Sequence, residues 1–317
     1  MSLKAPTEVT QVGVPQVFEF LRSLSSPWLD RLIRLITDVG SSSFYMAAVP
    51  VVYWCIDKAL GLGLGISLAV STVFNVTLKD IFRIPRPYVV WPQLGAPQFL
   101  LSTGTGWSFP SGHAQGSASF WTYMAAYLES RRLAWIGALI VVIVSFTRIY
   151  ATVHYPADVF TGMVLGVMIA LAYRAVETHA TRDRGQIQCS ARINPVLVIA
   201  ATAAPTLALA MSTIVDGLAN DIADLLGFVL GAAVGRHLER VLIRFNERAP
   251  LWVQLLKIIM GLAGFAALRF GLKAIFPISP WWTMIRYAVV ALWVTAGAPW
   301  LFKVLFGAYS RPSPERA

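Results

Sequence analysis

A chain of 317 residues that is 56% hydrophobic and only 13% charged, with mean hydropathy +0.63, carries more apolar surface than one water-soluble core can hide, since soluble domains run to roughly 25% charged residues. That excludes an ordinary soluble domain and leaves a polytopic helical membrane protein, in which each span satisfies its own backbone. The net charge of +10 is the basic loop content of such a protein, with part of it available to anionic substrates, and no nucleic-acid partner is expected.

In chain order, MSLKAPTEVTQVGVPQ contains no apolar run and no small-residue cleavage site, so no cleavable signal peptide is expected. Residues 14–39 keep helical apolar spacing but carry Glu19, Arg22, Asp30, Arg31, Arg34 and Asp38. Too charged to span, they predict one or two amphipathic helices on the membrane surface, and residues 1–40 form an N-terminal interfacial segment. Spans are expected near 41–57, 59–81, 111–130, 133–153, 158–178, 194–214, 219–236, 251–275 and 281–305, by the yardstick of about 20 residues per crossing. The fold class is therefore all-α: a polytopic membrane bundle of about nine spans. Its parts are a core over 41–178, a polar cytoplasmic linker over 179–193, and a C-terminal extension of four helices over 194–317. Cys55 in an apolar run and Cys189 in the linker lie in different environments, which predicts no disulfide. No tandem repeat or low-complexity segment is evident.

Basic residues set the orientation. Arg131 and Arg132, then Arg182, Arg184 and Arg192, then Arg236, Arg240, Arg244 and Arg248 fall in alternate loops, whereas Val215–Asp221 has two aspartates and no base. The positive-inside rule puts the arginine-rich set and the C-terminus in the cytoplasm and the N-terminus outside. The loop from Ile84 to Pro110 then lies outside, as do the end of the second span, the start of the third, the end of the fourth and the start of the fifth.

Three polar stretches stand at those outside ends. KDIFRIPRP gives Lys79 and Arg86; PSGH gives Ser111, Gly112 and His113; FTRIYATVHYPAD gives Arg148, His154 and Asp158. Singly each has a plain structural reading: a hydrogen-bonded histidine, a snorkelling basic pair, a carboxylate at a helix start. Together, at one depth, they make a functional cluster. Lys79, Arg86 and Arg148 supply charge and forked donors for a tetrahedral oxyanion, and Ser111 and Gly112 open a helix whose free N–H groups favour an anion. His113 and His154 supply acid–base or nucleophilic chemistry, with Asp158 placed to orient His154. No carboxylate cluster or HExxH is present to hold a metal, and no cofactor is expected.

In order and spacing these stretches resemble the three-part signature of the type 2 phosphatidic acid phosphatase superfamily over residues 79–158, with Thr147 where the family usually has serine. The family includes lipid phosphate phosphatases, undecaprenyl-diphosphate phosphatases and glucose-6-phosphatase; about nine spans with an outside N-terminus are similar to the last of these. The resemblance implies that His154 attacks phosphorus to form a phosphohistidine, oriented by Asp158. It implies that His113 protonates the leaving alkoxide and then activates water. Lys79, Arg86, Ser111, Gly112 and Arg148 bind the phosphoryl oxygens, without a metal. The expected activity is a membrane phosphatase acting on a lipid phosphate or diphosphate outside the cytoplasm, in a bacterial inner membrane. A glucose-6-phosphatase-like sugar phosphatase and an anion carrier that does not hydrolyse stay open. So do three roles for the last four spans, namely scaffold, homodimer interface or lipid-tail site. The loop over 88–109 is read either as a cap dipping into the interface or as a plain lid, and Lys257, Arg269 and Arg286 either as polar-network residues or as snorkelling residues near helix ends.

Overall fold

The computed structural model describes residues 14–182, 218–277 and 279–309, and among these every regular element is a helix. Helices α1 (Val14–Ser23) and α2 (Pro27–Asp38) precede α3 (Ser42–Cys55) and α4 (Lys58–Phe82). Two single turns, α5 (Pro87–Val90) and α6 (Gln98–Leu101), lie in the loop that follows. Next come α7 (Gly112–Tyr127), α8 (Arg131–Tyr150) and α9 (Pro156–Arg182), and from residue 218 onward α10 (Leu218–Leu238), α11 (Leu251–Ile275), α12 (Pro280–Leu292) and α13 (Ala298–Phe306).

Five helical segments among the described residues are long and apolar enough to cross a membrane: Lys58–Val90, Arg131–Tyr150, Pro156–His179, Leu251–Ile275 and Pro280–Tyr309. They coincide with the second, fourth, fifth, eighth and ninth expected spans, and the chain is an integral membrane protein. The first expected span is α3, 14 residues long, which reaches spanning length only together with α2, across a 46° bend. Ser41 makes that break: its hydroxyl donates to Asp38 O at 2.7 Å and accepts from Phe44 N at 3.1 Å, ending one helix and capping the next. The third expected span is α7, of 16 residues, and the seventh falls within α10; the sixth, at 194–214, and most of the linker lie outside the described residues.

The chain forms two compact units, Met1–Tyr45 with Thr77–Leu171, and Met46–Val76 with Ala172–Ala317. The division falls within α3, α4 and α9, so the units do not follow chain order.

In the first unit, α1 and α2 turn a polar-spotted inner face to the protein: Phe18, Leu21, Asp30, Ile33 and Thr37 are buried. Their outer face exposes Phe20, Leu24, Trp28 and Leu35, the amphipathic pattern of an interfacial helix pair. Leu21 and Ile33 pack with Leu100 of α6, with Tyr150 at the end of α8, and with Ala151 and Val153 just after it. Arg34 donates to Phe99 O at 2.6 Å and to Ser102 Oγ at 3.3 Å. The long loop is thus fastened to α2. On the other side, α9 meets α7 along Gly162 and Gly166: a Cβ on Gly162 would lie 2.6 Å from Ser111 O, and one on Gly166 would strike Gln115 O. The small-xxx-small spacing lets the two backbones touch.

The second unit repeats the device. Gly227 and Gly231 of α10 lie against the backbone of α12 at Met284 and Ala288. Its core joins Tyr53 and Trp54 to Phe245, Val294 and Phe302, and Trp54 Nε1 donates to Val294 O at 2.7 Å. A partly buried charged group lies beside it: Lys58 is 3.0 Å from Glu239 and 3.3 Å from Glu247, Arg236 pairs with Glu239, and Lys257 donates to Glu247 O at 2.8 Å. Lys257 is only 2% exposed, so it belongs to this network and does not snorkel. Arg269 bonds the Tyr287 hydroxyl and Arg286 that of Thr283, in place of simple helix-end exposure.

Candidate active site

The first motif closes α4. Lys79 stands in its last turn, and Arg83, with φ +47°, ends the helix in the left-handed conformation. Arg83 is exposed, its Nε donating to Asp80 O at 2.9 Å, as an interfacial anchor would. Arg86 precedes a proline, which holds it extended at φ −75° and ψ 155°, and its side chain turns inward, 4% exposed. Its guanidinium donates to Gly106 O (2.9 Å), Val153 O (2.8 Å) and Thr105 O (2.6 Å). Lys79 Nζ donates to Trp107 O at 2.7 Å and Ser108 O at 3.2 Å.

The second motif opens α7. Ser111 is the N-cap residue, yet its hydroxyl makes no cap and is buried with no partner among the described residues. Its N–H donates to Asp158 O at 3.0 Å, so the Gly162 contact and this bond fix the start of α7 against the start of α9. Gly112 is the first residue of α7 and His113 the second, in the turn whose N–H groups have no helical acceptor. His113 lines a cavity of about 670 Å³ shared with Arg34, Asp38, Ser42, Phe44 and Thr103.

The third motif spans the α8–α9 junction. Arg148, fully buried, donates through Nη1 to Thr37 Oγ1 (2.6 Å) and Thr103 Oγ1 (2.9 Å), and through Nη2 to Thr103 O (3.0 Å). Thr147, the departure from the family's usual serine, hydrogen-bonds the Thr37 hydroxyl at 2.9 Å. Asp158, in the first turn of α9, reaches back to accept from Tyr155 N at 2.9 Å, as a third-position acid does in a capping box. It also accepts from Ser108 Oγ at 2.5 Å and lies 3.4 Å from His154 Nδ1. The opposite ring nitrogen, Nε2, is 3.0 Å from Arg86 Nη1. A guanidinium only donates, so Nε2 is the acceptor and the imidazole proton belongs on Nδ1, facing Asp158. Burial first, then the charges of Arg86, Arg148 and Lys79, push the His154 pKa well below its ordinary value, outweighing the single carboxylate; His113 also acts on it electrostatically.

Hydrogen bonds therefore join Lys79, Arg86, Ser111, Arg148, His154 and Asp158 around residues 103–108 and the start of α9, while His113 faces the neighbouring cavity. Two donors from separate motifs, Ser111 Oγ and Arg148 Nε, are buried without an acceptor among the described residues. Buried donors such as Trp121 Nε1 and Ser145 Oγ also lack an acceptor among the described residues, but these two belong to the motifs, and an oxyanion is an acceptor that each could take. Among the described residues no cluster of three or more His, Cys, Asp or Glu is placed to hold a metal ion. Three site neighbours were missed in the sequence: Thr37, Thr103 and Ser108. A signal for Thr37 was there, since residues 30, 33 and 37 share one face of α2 and two of the three are polar. Thr103 and Ser108 carried none, being hydroxyls in an irregular loop.

Comparison with known proteins bears on the family. The family model described as the PAP2 superfamily matches residues 60–182, and one described as the transmembrane extension of PAP2 superfamily phosphatases matches 223–310. A probable sphingosine-1-phosphate phosphatase of Dictyostelium discoideum is 25% identical over 48% of this chain and 39% of its own length, so the chain spans about two fifths of that relative. Phosphatidylglycerophosphatase B of Bacillus subtilis is 25% identical over 51% of this chain and 81% of its own. Among solved structures, the PAP2-type phosphatidylglycerolphosphate phosphatase of Bacillus subtilis covers 57% of this chain and 90% of its own, at 21% identity and TM-score 0.47. A putative undecaprenyl-diphosphatase of Escherichia coli is 30% identical over 48% of this chain and 75% of its own. With all three motifs inside the matched region and a 30% identical relative covered over three quarters of its length, the chain belongs to the PAP2 superfamily.

Proposed function

We propose that the protein is a membrane phosphatase that hydrolyses the phosphate or diphosphate ester of a lipid through a phosphohistidine, without a metal, on the extracytoplasmic face. The observation that carries this reading is His154. It is buried, its Nδ1 faces Asp158 and its Nε2 carries the unprotonated lone pair, which accepts from Arg86, while the charges of Arg148 and Lys79 also act on the ring. That is the nucleophile–orienter arrangement set inside an oxyanion cradle.

Nε2 accepts a hydrogen bond from Arg86 at 3.0 Å. A phosphoryl group entering the cradle offers its oxygens to Arg86, Arg148, Lys79, the Ser111 hydroxyl and the first N–H groups of α7. As Arg86 turns to the phosphoryl oxygen, the Nε2 lone pair is released to attack phosphorus in line with the leaving oxygen. Asp158 balances the charge that builds on the ring. His113 gives its proton to the departing oxygen and, once the alcohol has left, takes one from the water that cleaves the P–N bond. The leaving group departs on the His113 side, where the cavity lies.

A lipid substrate is supported by the apolar outer face of α1 and α2 and by relatives named for sphingoid, phosphatidylglycerol and undecaprenyl phosphates. An anion carrier needs the cations but not the His–Asp pair. Phosphate release by the purified protein in EDTA tests the reading, with phosphatidic acid, phosphatidylglycerol phosphate, a polyprenyl diphosphate, a sphingoid phosphate and glucose 6-phosphate run side by side. Release from a lipid phosphate, lost in His154→Ala, is expected. Release from none of them, or release that survives His154→Ala, contradicts it.

A further inference from the structure

Resting on that reading of the site, we propose that Thr37 is a positioning residue that selects which edge of the Arg148 guanidinium is offered to the phosphate. A guanidinium has five N–H bonds in one plane, and an oxyanion is gripped best by two parallel bonds along one edge. In Arg148 the far edge, Nη1 with Nη2, is taken by Thr103, whose hydroxyl and carbonyl accept at 2.9 Å and 3.0 Å. The other Nη1–H is taken by Thr37 Oγ1 at 2.6 Å. What remains is the side edge, the Nε–H with the second Nη2–H beside it. Nε is buried with no acceptor among the described residues.

Thr37 is itself held. It is fully buried on the inner face of α2, its hydroxyl is bonded to that of Thr147 at 2.9 Å, and Thr147 Oγ1 is 2.6 Å from Val144 O. The hydroxyl at position 147 thus steadies the residue that steadies Arg148. Helix α2 lies ahead of the part of the chain that the family model matches, residues 60–182. A device outside the shared domain therefore sets the geometry of a residue inside it. Arg34, one turn earlier on α2, holds the same loop through Phe99 O and Ser102 Oγ, so α2 grips it at two successive turns.

Thr37→Val keeps the shape and removes the acceptor; Thr37→Ser keeps the acceptor and removes a methyl. The measurements are kcat/KM on the lipid phosphate that the wild type hydrolyses best, thermal unfolding in the same detergent, and direct calorimetric binding of inorganic phosphate, which needs no turnover. The expected result is a loss of about tenfold or more in kcat/KM and in phosphate affinity for Thr37→Val, the scale of a hydrogen bond to a charged group. Thr37→Ser should stay within about threefold of wild type. Thr37→Val within about twofold of wild type in phosphate affinity overturns the proposal, as does Thr37→Ser impaired as badly as Thr37→Val, which would mark a packing role. A wild type that binds phosphate but hydrolyses nothing sinks the phosphatase reading alone, and the affinities then decide the clamp. A wild type that neither binds nor hydrolyses overturns both.

Discussion

Two imidazoles with different surroundings imply different roles, and each can be tested at its own residue. His154 is locked between Asp158 and Arg86, whereas His113 faces a cavity. If His113 is the acid, His113→Ala should slow release from alkyl phosphates by about 10²–10⁴-fold, the ordinary worth of general acid catalysis. The loss should shrink sharply for an aryl phosphate, whose leaving group needs no proton; an equal loss on both would remove His113 from that role. The depressed pKa of His154 has a definite sign. Its reactive form is neutral, so kcat/KM should hold as pH falls through about 6.5, the value of an unperturbed histidine, and the acid limb from His154 should appear only below it. In the unfolded chain the same residue gains its proton near 6.5, so between the folded and unfolded values the unfolded state binds more protons and stability falls with falling pH. An acid limb for His154 at or above 6.5 in a kcat/KM profile contradicts this. The residues proposed to do the chemistry stood out in the sequence because their types are costly in an apolar chain: two histidines, three cations and a carboxylate at matching span ends. The residues that aim them were not, because a threonine or serine costs little anywhere, and only the fold brings Thr37, Thr103 and Ser108 to Arg148 and Asp158.

At the scale of elements, the site depends on how closely α9 approaches α7. A Cβ on Gly162 would meet the Ser111 backbone carbonyl, which cannot yield, whereas one on Gly116 would find only ordinary contact with the Tyr45 ring at 3.6 Å. Gly162→Ala should therefore cost about 1–3 kcal/mol, the scale of overpacking, and lower activity with it, while Gly116→Ala should leave both near wild type. Thermal unfolding in detergent, read beside phosphate release, checks the pair; equal tolerance at the two sites would refute the seam. The loop over residues 88–109 reads as either a cap or a lid in the sequence. Its observed part in the site is of a third kind: backbone carbonyls from residues 103–108 take up the N–H groups of Lys79, Arg86 and Arg148. Backbone acceptors carry no sequence signature, so that role was invisible. Five of the expected spans appear as helices of spanning length because hydropathy alone defines them. The Ser41 break and the 16 residues of α7 do not follow from hydropathy, since a cap and a polar helix start set them.

For the whole molecule, two units of different character share one chain. The first holds every motif residue; the second holds the group of Lys58, Arg236 and Glu247 around the buried Glu239 and Lys257. Glu239, 1% exposed, is the shared anion of that group. Glu239→Ala leaves Lys58 and Arg236 facing each other without it and should destabilise the fold by about 3–5 kcal/mol, the cost of breaking a buried pair; an unchanged unfolding midpoint in detergent would show the group to be dispensable. The charge excess of the chain, read in the sequence as loop arginines and an anion cradle, divides in the structure among loops, cradle and this network, which the sequence reading had left as the open alternative for Lys257. The central claim is that one phosphoryl group touches all three motifs and is carried for a moment by His154. Rapid acid-free quenching of the purified protein during turnover of a ³²P-labelled lipid phosphate, followed by denaturing separation, measures this directly. The account predicts label on the protein that is stable to alkali, labile to acid and absent from His154→Asn. A protein that turns the substrate over yet carries no such label at any quench time, or carries it undiminished in His154→Asn, would contradict it.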